Sequence, residues 1–172
     1  EAQIKGIEVD LLSEVLPSLH QGLVFTFSGA WLDATFTDYR SGQGFDPVTR
    51  TYRADMDLTG EQLPRTARLS GTVGLNQALN VPGGALELGV DYYYNSGFSF
   101  LAQSDPFTEQ DAYGLIGARI SYLYDAWGLR ATLFGKNLGD ETFYYSRFVT
   151  DFGTNDAVAP GAVYGLRLNW DF

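Results

Sequence analysis

Residues that could carry chemistry are few in this chain. Its 172 residues include one histidine, His20, and no cysteine. Ser–His or Asp–His catalysis therefore has a single imidazole to draw on. His20 falls in a predicted short turn, where an exposed turn residue is the better expectation. Without cysteine, disulfides and thiolate metal sites are excluded. Oxygen ligands remain: Asp55, Asp57 and Glu61 crowd one long loop, and Asp151, Asn155 and Asp156 another. Either set could meet a hard divalent cation, but neither has EF-hand spacing, so solvated acidic loops are expected. No Gly-rich phosphate loop is present. The expectation is no enzyme, no metal and no cofactor.

A second group of charges falls at alternate positions of extended segments: Arg68, Glu87, Asp91, Arg119, Arg130, Lys136 and Arg167. These could contact an anionic group. The arginines could also pair with Glu87, Asp91 and Asp171 across neighbouring strands, and pairing is the favoured expectation.

The elements that would position these charges follow from a period of two. In the last nine residues Tyr164, Leu166, Leu168, Trp170 and Phe172 share one face of an extended strand, and Gly165, Arg167, Asn169 and Asp171 share the other. The same alternation runs through Ile7–Leu11, Leu23–Trp31, Leu69–Leu75, Leu86–Tyr94, Ile116–Tyr124 and Leu129–Gly135. Seven strands result, each with one apolar and one polar face.

Composition agrees. Gly numbers 20, Tyr 11 and Phe 12 against 6 Pro, which favours strands and tight turns. The net charge of −10 argues against nucleic acid, whose phosphates need clustered Lys and Arg. No run of about 18 apolar residues exists, so no transmembrane helix is expected. The mean hydropathy of −0.12 conceals the membrane signal of alternating strands, because their two faces average out.

Connections decide between a soluble sandwich and a membrane barrel. Residues 13–22, 77–84 and 125–128 are short turns, whereas 38–66, 95–112 and 144–162 are long and polar. In an up-and-down barrel all short turns share one end and all long loops the other, as in outer-membrane barrels. Aromatics gather towards both ends, as interfacial girdles. Tyr122, Tyr124, Trp127, Trp170 and Phe172 fall at the short-turn end. Trp31, Phe36, Tyr39, Tyr94, Phe98 and Phe100 fall at the long-loop end.

Several segments, in order, resemble the carboxy-terminal barrel of TonB-dependent outer-membrane receptors. They are GIEVDLLSEVLPSL, WLDATFTDY, DLTGEQLPRTARLSG, EQDAYGLIGARISY, LFGKNLGDETFYYSRFVTDFG and APGAVYGLRLNWDF. The Lys136-Asn137-Leu138-Gly139-Asp140 and Leu63-Pro64 steps are typical of that family. The resemblance implies an all-β fold: an antiparallel transmembrane barrel segment of about seven up-and-down strands, the C-terminal third of a roughly 22-stranded barrel. It implies residues 1–172 as a partial barrel domain without its plug and amino-terminal strands, in the bacterial outer membrane with the C-terminus periplasmic.

The implied partners are outer-membrane lipid, the barrel assembly machinery, and TonB and a plug domain through a part outside this chain. The implied cargo is a metal chelate, most often a ferric siderophore. Tyr164, Leu166, Leu168, Trp170 and Phe172 would form the assembly signal, and the seven alternating charges named above would face the lumen. Loop aromatics Phe45, Tyr52, Phe107, Tyr144 and Tyr145 could stack on a siderophore or sugar, or belong to the girdle. The competing expectation is a small or oligomeric barrel with a passive or structural role.

Overall fold

A computed structural model describes residues 1–15, 21–46, 48–150 and 152–171. Seven strands form one antiparallel sheet: β1 (Ala2–Glu14), β2 (Leu23–Phe36), β5 (Leu69–Val81), β6 (Gly84–Asn95), β9 (Tyr113–Tyr124), β10 (Leu129–Lys136) and β13 (Val163–Trp170). Each main strand pairs with the next one in the chain, in the order β1-β2-β5-β6-β9-β10-β13. β1 and β13 are therefore the two edges, and the sheet does not close on itself.

All seven expected strands are present, and their register gives the alternation its meaning. Val9 pairs with Gly29, Phe27 with Val73, Val73 with Tyr92, Tyr92 with Ile116, Ile120 with Leu133, and Leu133 with Leu166. Every apolar series thus falls on one face, and a one-residue slip in any pair would turn that strand over.

That face is open to the surroundings. Leu168 is 61% exposed, Leu133 58% and Ile120 51%, whereas the buried apolar residues among those described are Ala34, Leu58, Ala67, Phe100 and Ala159. A soluble sandwich buries its apolar face against a second sheet; this sheet buries neither. A continuous apolar face this wide is far beyond the few hundred Å² that water tolerates. The apolar zone also has an upper limit. Lys5 and Asp33 pair on the same face two residues beyond Ile7 and Trp31, towards the long-loop end. The strands simply outrun an apolar band about 25 Å tall.

The short-turn end is built by glycine. Val81 pairs with Gly84 around Pro82 and Gly83; proline presets the first turn residue, and Gly83 takes φ 84°. A 3₁₀ turn, Asp125–Trp127, joins β9 to β10 and ends at Gly128 in the left-handed region, with its N–H donating to the Asp125 carbonyl. Pro17 and His20, expected in the turn before β2, lie outside the described residues.

The long connections differ from expectation. Each contains its own two-stranded ribbon: β3 (Gly42–Phe45) with β4 (Tyr52–Met56), β7 (Phe98–Ser99) with β8 (Glu109–Gln110), and β11 (Tyr144–Thr150) with β12 (Gly153–Val158). Alternation does not reveal them because β7 and β8 are two residues each. Register breaks at Gly42/Gly44 and Tyr144/Ser146 scramble the period in the others.

A Cβ at Gly83 would meet only ordinary contacts, the nearest being Tyr124 Cε2 at 3.6 Å, so backbone strain alone sets its cost. Gly83→Ala should destabilise the assembled barrel by about 1–2 kcal/mol, read as a lower urea midpoint after folding into bilayers.

Candidate functional site

The polar face carries side chains that reach over their neighbours, and glycine makes the space. Arg119 crosses Gly89 to donate from Nη2 to Asn76 Oδ1 at 2.5 Å; a Cβ on Gly89 would lie 2.9 Å from its guanidinium carbon. The Asp91 carboxylate lies over Gly117, and the Phe134 ring over Gly165. The Arg167 guanidinium stands 5.7 Å from the centre of that ring. Towards the turn end, Arg130 and Glu87 form an ion pair of 2.9 Å across β9. Beside it Ser121 and Thr132 share a buried hydrogen bond of 2.8 Å.

Of the seven charges expected on this face, Asp91, Arg119, Lys136 and Arg167 line one groove of about 390 Å³. Three cations against one carboxylate make its wall positive. Arg68 is apart, in a polar cleft of about 440 Å³ with Glu61, Glu109 and Asp111. The pairing expected among these charges is realised between Arg130 and Glu87. Arg119 instead spends its guanidinium on an amide.

At the long-loop end three arginines lace the connections together. Arg50 donates from Nη1 to Asp105 Oδ2 at 2.7 Å and lies 4.2 Å above the Phe107 ring centre. Asp105 is fully buried and also accepts the Phe107 N–H at 3.0 Å. Gln103 Nε2 donates to the Phe45 carbonyl at 3.0 Å, a second link between the first two loops. Arg147 donates from Nη1 to the Glu109 carbonyl at 2.9 Å, stacks 4.3 Å over Tyr144 and holds Asp156 at 3.1 Å, joining the third loop to the second. Arg65 donates its N–H to the Ser99 carbonyl at 2.8 Å and its guanidinium to the Tyr145 carbonyl at 3.3 Å. Arg50 and Arg65 both take positive φ, 57° and 59°, strained for residues other than glycine.

Arg50 also lines an open cleft of about 490 Å³ with Phe45, Thr51, Tyr52 and Phe107 and with residues 149, 150, 153 and 154 of the third loop. Three of the five singled-out loop aromatics, Phe45, Tyr52 and Phe107, meet there. Tyr144 is covered by Arg147, and Tyr145 packs edge-on against Phe143. Sequence reasoning missed Arg50, Arg65, Arg147, Gln103 and Asp105. The four charged residues had no signal beyond their charge inside loops read as long and polar, and Gln103 had none.

The acidic sets are occupied otherwise. Asp55 pairs with Arg53 at 3.1 Å, and Asp57 accepts the Thr59 N–H at 3.0 Å. Among the described residues no three metal-ligating side chains converge; Asp151 lies outside them. The Lys136–Asp140 step is a clasp. Asn137, at φ 49°, exchanges hydrogen bonds with the Glu141 backbone at 2.8 and 2.9 Å and reaches the Pro160 carbonyl at 3.3 Å. Asp140 accepts the Ala162 N–H at 2.9 Å, so both ends of the third loop are tied. Tyr164, Leu166, Leu168 and Trp170 are exposed together on the apolar face of β13, and Phe172 is outside the described residues.

Comparison with known proteins agrees with this geometry. A family model, TonB dependent receptor-like, beta-barrel, matches residues 1–138. No curated protein matches the chain. The fold is similar to that of the ferric yersiniabactin uptake receptor FyuA from Yersinia pestis, with a TM-score of 0.77 and 15% identity. That similarity covers 99% of this chain and 24% of FyuA. It is also similar to the siderophore receptor PiuA from Acinetobacter baumannii, with a TM-score of 0.69, 16% identity, and coverage of 96% and 22%. The chain thus spans about a quarter of the length of these solved structures.

The first loop has a measurable acid limit. Backbone N–H groups of Thr49 and Val48 donate to Asp46 Oδ1 at 2.8 and 2.9 Å and hold its carboxyl below the usual 3.8. A lowered folded pKa gives a contribution that is whole above the unfolded value. It shrinks as pH falls below that value and is gone once the folded carboxylate protonates. Hydrogen exchange should therefore show the Val48 and Thr49 amides protected until pH drops below the ordinary carboxylate range. Asp46→Ala should expose both at every pH.

Proposed function

Because the chain belongs to the TonB-dependent receptor-like β-barrel family, we propose that it is part of the wall of a bacterial outer-membrane receptor that imports a scarce nutrient by TonB-dependent active transport. One observation supports this above the rest: a register that gathers seven apolar series on one open face. On this reading that face meets lipid and the polar face lines the lumen. Arg68, Glu87, Asp91, Arg119, Arg130, Lys136 and Arg167 then meet water, cargo or an amino-terminal plug. The positive groove of Arg119, Lys136 and Arg167 suits plug carboxylates.

Further strands of the same barrel pair β1 and β13. Left open in hydrocarbon, each unpaired N–H or C=O costs several kcal/mol, and seven antiparallel strands cannot close evenly, since the first and last run parallel. The short-turn end and the C-terminus face the periplasm, and TonB engages a segment outside these residues. Tyr164, Leu166, Leu168, Trp170 and Phe172 form the strand that the assembly machinery reads. The cargo is a metal chelate of the siderophore kind, by analogy with FyuA and PiuA. The aromatic cleft beside Arg50 is an apt surface for such a ligand. The family transports and does not catalyse.

The complete receptor should raise uptake of iron-loaded siderophores in iron-starved cells, and uptake should vanish in a TonB-deficient strain. Uptake that persists without TonB would indicate a passive pore instead. The faces have a separate test. Leu168→Arg should cost about 2–4 kcal/mol of bilayer folding free energy and Asn169→Arg much less, both read from denaturant titrations of the complete barrel.

A further inference from the structure

The apolar face is not uniformly filled. Gly29 and Gly71 pair directly between β2 and β5, leaving a recess of about 500 Å³ in the surface. Its floor is glycine backbone. Trp31 bounds it towards the long-loop end, Phe27 towards the turn end, and Val9 and Tyr94 at the sides. A recess in a membrane-facing surface must be occupied, because its lining otherwise loses dispersion contacts outright.

The position of the recess identifies the occupant. It lies at the end of the apolar band, and just past Trp31 the same face carries Lys5 opposite Asp33. Among the described residues neither makes an ion pair. An apolar pit beneath an available ammonium matches a molecule with a hydrocarbon tail and a phosphate-bearing head. A protein partner, such as a second copy presenting exposed Trp31 with Asp33 beside it, would instead shield Trp31 from lipid.

We propose that the Gly29–Gly71 recess is a specific site for the acyl chain of a membrane lipid whose phosphate lies at Lys5. The inference rests on the reading of this face as lipid-facing, and goes beyond it in distinguishing one held lipid from the many that merely surround the barrel. Glycine at 29 makes room for the Phe27 ring, which leans over it and forms the turn-end wall of the recess. A Cβ there would meet only the Phe27 ring, Cζ at 2.8 Å, a side chain that can swing away, so the pit can be filled without moving backbone.

Tryptophan fluorescence tests this in the complete receptor. Among the tryptophans of this segment, Trp31 reports the recess and Trp170 the ordinary face at the opposite end. Two versions of the receptor are needed, each retaining one of them as its single tryptophan. Each is reconstituted into dioleoylphosphatidylcholine vesicles with rising fractions of dibrominated phosphatidylglycerol, whose bromines quench indole on contact. Trp31 should reach half-quenching at a several-fold lower lipid fraction than Trp170. Gly29→Leu should abolish that advantage. Lys5→Gln, which leaves the recess intact, should abolish the preference for the brominated phosphatidylglycerol over brominated phosphatidylcholine.

Equal half-quenching fractions for the two tryptophans would overturn the site and leave the lipid-facing assignment standing. Quenching of Trp170 but not of Trp31 would mean that protein covers the recess, which also overturns it. If neither tryptophan were quenched, the lipid-facing reading itself would fall.

Discussion

Backbone hydrogen bonding governs this structure. Away from water every N–H and C=O needs a partner, and only a sheet in strict register supplies partners while presenting a continuous apolar face. Among the described residues no second layer packs on the seven strands and the buried apolar residues lie near the loop end, so only a few polar-face links, such as Arg130–Glu87 and Ser121–Thr132, add to the ladder. The side chains are arranged around the ladder rather than the reverse. Where a long side chain must cross the polar face, the strand beneath it yields to glycine, as at Gly89 under Arg119 and Gly117 under Asp91.

The two ends of the sheet solve different problems. At the turn end the chain reverses in as little as two residues, with positive φ supplied by Gly83 and Gly128. At the loop end the connections are long, and charged side chains with backbone carbonyls do the work that apolar burial does elsewhere. Arg50 on Asp105, Arg65 on the Ser99 and Tyr145 carbonyls, and Arg147 on the Glu109 carbonyl order a surface that holds little hydrophobic core. The fully buried Asp105 is tolerated because a guanidinium and a backbone N–H share its charge.

The sheet was legible in the sequence because a half-exposed strand writes its geometry directly as a period of two. All seven main strands, their order and the grouping of short and long connections could be read that way. The three ribbons could not, because β7 and β8 are too short to show a period and bulges at Gly42/Gly44 and Tyr144/Ser146 shift it in the others. The cleft was half legible. Its aromatics stood out as residue types, but the partners that bring Phe45 and Phe107 together lie 55 residues apart, in Arg50 and Asp105. Likewise the Lys136–Asp140 step was recognisable as a signature, while its role as a clasp across the third loop depends on the Pro160 carbonyl and Ala162 amide, which no local pattern announces.

The lacing of the three long loops has a bearing on how such a surface can change over generations. Loops on a rigid scaffold usually vary independently, each free to lengthen or diverge without consulting the others. Here every pair of loops shares a hydrogen bond, and two of the arginines involved hold strained backbone at positions that suit few replacements. Replacing one loop alone therefore strips hydrogen-bond partners from the other two. The three form a single heritable module, in which a change in any one demands an answering change in its neighbours.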